Sequence, residues 1–362
     1  MAEQGMRTPQ GGHKPVLLDL RVRLATVVTR TTTPDQNVVG LIRGIAAPDE
    51  WVIITAHYDH DGADGDLVWP GADDDGSGTV GLLEIAEALG RAAEGGHHPR
   101  RSILVAAWNS EERGLLGAWA YTLNPLHPLE DTVAVLNMDM IGRLEGATLV
   151  VHGVGTAVEW TDVLLAANEL ITRPLSIAVT PDGFGPSDHS SFYGEGLPVL
   201  HFFSNTHVDY HRPSDDWEKV DIEGLDRIVD LVTEVALDVV GISGSDEGIA
   251  LTPIEPDLVA AHGQDPSAST TRGGYGPYLG TIPDMVPADS GLRLTGVREG
   301  SPAAIAGIRG GDIVVEFSGN VVGDIYTYTY ALQEHTPGDS VEIVVLREGQ
   351  RLTLTAVLGD ER

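Results

Sequence analysis

Apolar residues recur along the chain with two periods. Residues 16–28 alternate apolar with polar or basic positions (Val16, Leu18, Leu20, Val22, Leu24), the two-residue period of a strand. Residues 38–45 and 51–57 read as two more strands, joined across Ala47-Pro48-Asp49. Between 79 and 93, Val80, Leu83, Ile85, Ala86 and Leu89 fall at helical spacing with few breakers. A buried-type strand at 102–108, a helix at 114–123 and a strand at 133–138 follow. Then come a strand at 148–152, a helix near 157–170, a strand at 197–203 and a long helix at 222–240. Short apolar strands alternating with helices predict an α/β fold: a three-layer sandwich with a mixed, largely parallel central sheet.

After Gly241 the texture changes. Residues 243–277 are rich in Ser, Gly, Pro, Asp and Thr without a sustained period, and read as a flexible linker. From 278 to 362 the β-like runs are short (292–297, 313–317, 341–346, 351–358), with one helical stretch at 324–334 and a hairpin signal at Glu348-Gly349. The sequence therefore predicts a first domain over 16–242 and a small, mostly β domain over 278–362.

Composition narrows the chemistry. A formal net charge of -32 over 362 residues argues against nucleic acid and anionic membrane as partners. Lysine occurs only at Lys14 and Lys219, so the remaining basic residues are arginine. With no cysteine there is no disulfide, and any metal must be held by histidine and carboxylate. No apolar run approaches the ~20 residues of a membrane span, and residues 1–15 lack the apolar centre of a signal peptide. The chain as given is expected to be soluble.

Each apolar strand of the first domain ends in a side chain of ligand type. Residues 53–56 lead into His57, 105–108 into Asn109-Ser110-Glu111-Glu112, and 136–138 into Asp139; His211 lies after the strand ending near Phe203. Between the first of these and its helix lies Gly71-Ala72-Asp73-Asp74-Asp75-Gly76-Ser77-Gly78. Alone, three adjacent aspartates are usually a solvated turn, and Glu111-Glu112 a pair favoured by a helix dipole. Together, at successive strand ends and with no thiol, they fit zinc or a similar divalent ion.

Residues from about 37 to 240 closely resemble the co-catalytic two-zinc aminopeptidases of metallopeptidase family twenty-eight. The motifs are His57-Tyr58-Asp59, the Gly71 to Gly78 loop, Asn109 to Gly114, Asn137-Met138-Asp139-Met140-Ile141-Gly142, Ser187-Asp188-His189 and Tyr210-His211-Arg212-Pro213-Ser214-Asp215. The resemblance implies two Zn2+ bridged by Asp74, one completed by His57 and Asp139 and the other by Glu112 and His211. It also implies Glu111 as general base, Tyr210 as hydrogen-bond donor to the oxyanion, Asp59 behind His57, and a cis peptide bond at Asp74-Asp75. Asp188 and His189 are expected to line or support the pocket. His60 reads as a loop or supporting residue rather than a ligand, and His97, His98 and His127 as surface.

The last ~85 residues resemble a PDZ domain of the kind attached to bacterial proteases. Tyr278-Leu279-Gly280-Thr281 matches its carboxylate-binding loop, and Gly300 to Ala304, Ala306-Gly307-Ile308 and Gly311 to Val314 match its central signature. The implied groove lies between residues 280–282 and the helix around 326–332, with a C-terminal peptide as ligand. The implied function is hydrolysis of N-terminal residues from peptides with a free N-terminus. Carboxypeptidase, dipeptidase and glutaminyl cyclase activities share the same ligands, and a non-catalytic adaptor is the competing class.

Overall fold

The computed structural model describes residues 33–144, 148–242, 247–256, 277–286, 288 and 290–359. The strand expected over 16–28 lies outside them. Seven strands build one sheet: β1 (Val38–Ile42), β2 (Ala47–His57), β5 (Arg101–Trp108), β6 (Thr132–Met138), β7 (Leu149–His152), β8 (Ile177–Thr180) and β9 (Val199–Phe203). β3 (Gly62–Asp64) and β4 (Leu67–Trp69) form a separate hairpin beyond β2. The spatial order is β1-β5-β2-β6-β9-β7-β8. β5, β2, β6 and β9 run parallel to one another, while β1 and β7 are antiparallel to their neighbours β5 and β9.

Side-chain alternation divides the core into two layers. Val52, Ile54 and Ala56 of β2 face α1 (Gly76–Glu94), α3 (Trp160–Leu170) and α5 (Ile222–Val240). Trp51 and Ile53 point the other way, toward α2 (Leu116–Leu123) and α4 (His189–Tyr193). A central strand buried on both faces needs a continuous apolar run rather than alternation, and residues 51–57 are buried without interruption. Val52, Ile53 and Ile54 among them each contribute roughly 1.5–3 kcal/mol on burial. The result is the expected three-layer α/β sandwich with a mixed, largely parallel sheet.

Several stretches differ from the sequence reading. Residues 47–49 belong to β2 rather than to a connection, and the short edge strand β8 and helix α4 were not anticipated. Part of the expected linker is held down. Ile249 N–H donates to Asp238 O, Arg101 Nη1 donates to Ile249 O at 3.0 Å, Thr252 bonds Glu159, and Ile249 and Leu251 pack on the main core.

The second domain is an antiparallel sheet of β10 (Thr281–Pro283), β11 (Leu292–Val297), β12 (Ile313–Phe317), β14 (Ser340–Arg347) and β15 (Gln350–Val357), with β13 (Asn320–Val321) paired to β12. Helices α6 (Pro302–Ala306) and α7 (Ile325–Gln333) complete it; Asp324 caps α7 in a capping box with Thr327. The β14–β15 turn has both central residues at positive φ (Glu348 51°, Gly349 77°), matching the predicted tight hairpin. Among the described residues no helix is long and apolar enough to cross a membrane.

Candidate metal centre

Topology alone brings the predicted ligands together. In the order β5-β2-β6-β9 the C-terminal ends of four parallel strands lie side by side, so the segments carrying Glu111-Glu112, His57, Asp139 and residues 204–211 share one edge of the sheet. Asp73 to Asp75 enter the same edge at the start of α1. There Asp75 is the N-cap, its Oδ1 accepting from Gly78 N–H and Met140 N–H and its Oδ2 from His57 N–H. A Cβ on Gly78 would lie 2.7 Å from Met138 O, so this approach of helix to strand requires glycine. The Asp74-Asp75 peptide bond is cis.

Asp74 stands between two histidines. His57 Nε2 lies 3.4 Å from Asp74 Oδ1 and 3.5 Å from Asp139 Oδ1. His211 Nε2 lies 3.2 Å from Asp74 Oδ2 and 3.1 Å from Glu112 Oε2. Donor atoms about 2.0–2.1 Å from a tetrahedral ion are separated by about 3.3 Å. The His57, Asp74 and Asp139 atoms therefore lie at the spacing of ligands around an ion, and Asp74 and Glu112 each lie at that spacing from His211. His57 Nε2, Asp74 Oδ2 and Asp139 Oδ1 are buried and make no hydrogen bond among the described residues.

Three further residues join the cluster. His60 Nδ1 is 2.7 Å from Glu112 Oε1 and 3.9 Å from Asp74 Oδ2, so His60 forms a possible donor group with the two carboxylates. Asp61 Oδ2 is 3.2 Å from Nδ1 of His211. Asp215, at the end of a motif quoted above, accepts from the N–H groups of Asp73 (2.9 Å) and Asp74 (3.2 Å) and is itself held by Arg143 Nη2 at 2.8 Å. Asp73 ties the loop further, accepting from Gly142 N–H, Ser77 Oγ and His207 Nε2.

The supporting residues are placed as follows. Asp59 turns its backbone carbonyl to His57 Nδ1 at 3.0 Å, while its Oδ1 accepts from Glu111 N–H at 3.0 Å. The Tyr210 ring is 4.2 Å from that of His211, tilted by 59°. Asp188 is fully buried, and His189 stacks on His201 at 4.3 Å. His127 departs from the surface expectation. It is buried, stacked on Trp51 at 4.1 Å, and its Nε2 lies 3.1 Å from Thr132 Oγ1.

Charge and burial oppose each other throughout. Burial disfavours ionised Asp74, but the neighbouring His211 and His57 imidazoles win and hold its carboxyl below the usual range. Burial likewise works against a charged His211, yet Asp74 and Glu112 push it up to about 10. Glu111, which lacks such a partner, is pushed up to about 10 by burial, with Asp139, Asp188 and Glu112 adding to the effect and His57 opposing it. Burial raises Asp188 to about 8. Carboxylates outnumber imidazoles at one water-poor edge, an arrangement that favours divalent cations.

The profile described as "Peptidase family M28" matches residues 37–236, and that of the PDZ domain matches residues 277–358. Aminopeptidase NAALADL1 of Mus musculus is 36% identical over 169 residues, covering 46% of this chain and 20% of that protein. Probable glutamate carboxypeptidase LAMP1 of Arabidopsis thaliana is 30% identical over 218 residues, covering 52% of this chain and 30% of that protein. The chain thus spans less than a third of either relative's length. The solved structure of BSAP, a zinc aminopeptidase from Bacillus subtilis, aligns over 61% of this chain and 53% of its own, with 26% identity and a TM-score of 0.49. With more than half of its length matched by one family profile, the chain belongs to peptidase family M28 and carries a PDZ domain after the peptidase domain.

Proposed function

We propose that this chain is a zinc-dependent aminopeptidase with a dinuclear site. The observation that carries the proposal is Asp74, a single carboxylate with one oxygen 3.4 Å from Nε2 of His57 and the other 3.2 Å from Nε2 of His211. The donor sets are His57, Asp74 and Asp139 on one side and Asp74, Glu112 and His211 on the other. Bound there, a pair of divalent ions supplies Lewis acidity to a scissile carbonyl and acidifies a water molecule. Glu111, beside a ligand and outside both donor sets, takes the proton of that water and returns it to the leaving amine. Tyr210, packed against His211, hydrogen-bonds the oxyanion. Asp59 and Asp75 hold the ligand-bearing segments in place through their bonds to the N–H groups of Glu111, His57 and Met140, with Asp188 buried beside them, and Tyr278 to Thr281 form the peptide-capturing loop of the PDZ domain.

Cleavage of a free-amine aminoacyl anilide, compared with its N-blocked form, tests the reading. Activity should be confined to the free amine, disappear on chelation and return with zinc. Cleavage of the blocked substrate alone would redirect the proposal toward carboxypeptidase-type chemistry, the activity named for the plant relative. No turnover of any peptide by zinc-loaded protein would support the adaptor instead.

A further inference from the structure

The PDZ domain meets the peptidase domain at the loop that carries His211. Asn205 Nδ2 donates to Asp284 Oδ1 at 2.7 Å, and Met285 N–H donates to Asn205 Oδ1 at 3.0 Å. Arg298 Nη2 donates to Tyr210 O at 2.9 Å. Met285 and Val286 pack with Met140, Phe203 and Tyr210. Two of these peptidase residues adjoin proposed metal ligands, Met140 following Asp139 and Tyr210 preceding His211. The same loop supplies His207, which lies 3.0 Å from Asp73.

The contact falls at the end of the strand to which a PDZ ligand would add. β10 pairs with β11 on one side, and on the other Thr281 Oγ1 reaches Tyr328 OH of α7 at 2.7 Å. Gly280 has φ 82°, and a Cβ there would strike Ser301, so the loop before β10 is built for glycine. A peptide whose carboxylate sits at this loop runs antiparallel to β10. Its residue about three to four positions upstream then lies beside Pro283. Pro283 has no N–H to offer, and its carbonyl already accepts from Thr206 Oγ1 of the peptidase domain.

We propose that Thr206 and an incoming C-terminal peptide compete for the Pro283 carbonyl, so that a PDZ ligand longer than about three residues displaces the loop holding Tyr210 and His211. Thr206 and Arg298 are then positioning residues, and the partner is a peptide with a free C-terminal carboxylate and at least four ordered residues. The catalytic readout rests on the aminopeptidase reading; the binding readout does not. Competition is reciprocal, so removing Thr206's hydroxyl must strengthen the binding of long ligands alone.

The test uses the full zinc-loaded chain and N-terminally fluorescein-labelled peptides of three and eight residues ending in the same valine carboxylate, with fluorescence anisotropy as the readout. In the wild type the eight-residue peptide should bind no more tightly than the three-residue one. In Thr206→Val it should bind about fivefold more tightly, the scale of one hydrogen bond, while the three-residue peptide is unchanged and Thr206→Ser behaves as wild type. In the wild type the eight-residue peptide at saturation should lower kcat on the anilide at least twofold, and the three-residue peptide should leave kcat unchanged. If Thr206→Val fails to fold, Asn205→Ala, which opens the same contact, should give the same gain for the long peptide. Equal affinity of the long peptide for wild type and variant, an equal gain for both lengths, or no binding of either peptide would overturn the proposal.

Discussion

Replacing Glu111 with glutamine isolates the proposed base from the metal sites. The backbone at 111 is fixed by three bonds that do not involve the carboxylate: its N–H to Asp59 Oδ1 at 3.0 Å, and its carbonyl to the N–H groups of Gly114 at 2.8 Å and Leu115 at 2.9 Å. Glutamine keeps all three and the side-chain volume. Burial among Asp139, Asp188 and Glu112 pushes the Glu111 carboxyl to about 10, so a neutral amide breaks no ionic partnership, and stability should stay within about 0.5 kcal/mol of wild type. A positioned base contributes roughly 10²–10⁴-fold, or about 3–5 kcal/mol of barrier. Steady-state kinetics on the free-amine anilide, with metal content measured by atomic emission, should give unchanged metal, KM within a few-fold, and kcat lower by that factor. A kcat within tenfold of wild type refutes Glu111 as base, and lost metal refutes its placement outside the donor sets.

Three further outcomes follow from the same geometry. His60→Ala removes the 2.7 Å partner of Glu112 and should weaken one of the two metal-binding steps about 10–100-fold in chelator competition; two unchanged steps would return His60 to the loop role first expected of it. Burial opposes charge on His57 and His211, but neighbouring carboxylates prevail, holding His57 well above its usual value and His211 at about 10. His211 is therefore protonated at pH 7.5 in chelated protein. Metal affinity should rise with pH, and loading should release protons in calorimetry across buffers of different ionisation enthalpy; a heat independent of buffer would contradict this. In the PDZ domain, burial raises Asp312, but the two 2.7 Å bonds from Arg347 outweigh it and hold the carboxyl below its ordinary value. That pair stabilises above the unfolded carboxyl value of about 3.9 and is lost as pH falls through the depressed folded value. The PDZ melting temperature should drop below about pH 4 in wild type, and the drop should be shallower in Asp312→Asn.

Much of the fold could be read in the sequence because the central strands are buried on both faces. A run such as residues 51–57 leaves little alternative to a parallel sheet, and helix α5, with its wide apolar stripe, starts and stops where its pattern does. Short elements were not legible. Strand β8 is four half-buried or exposed residues at the sheet edge, and α4 is a single turn after a buried Asp188. The β3–β4 hairpin did leave a signal, Gly65-Asp66 between two short runs. The ligand-type residues His57, Asp139 and Glu111-Glu112 stood out because each lies at or just after the end of a strand. His60, Asp61 and Asp215 did not, since their roles depend on how loops fold back; Asp215, for example, reaches Asp73 N–H across 142 positions. The His127 stack on Trp51 and the grip of Thr206 on Pro283 are likewise tertiary facts, with no local pattern to announce them.

Asp74 is proposed as one carboxylate that serves two metal ions. Anomalous diffraction at the zinc edge from zinc-loaded crystals tests it directly. Two peaks about 3.5–4 Å apart are expected, one beside His57 and Asp139 and the other beside Glu112 and His211, with Asp74 between them. A single peak, or two peaks of which either lies out of reach of Asp74, would contradict it.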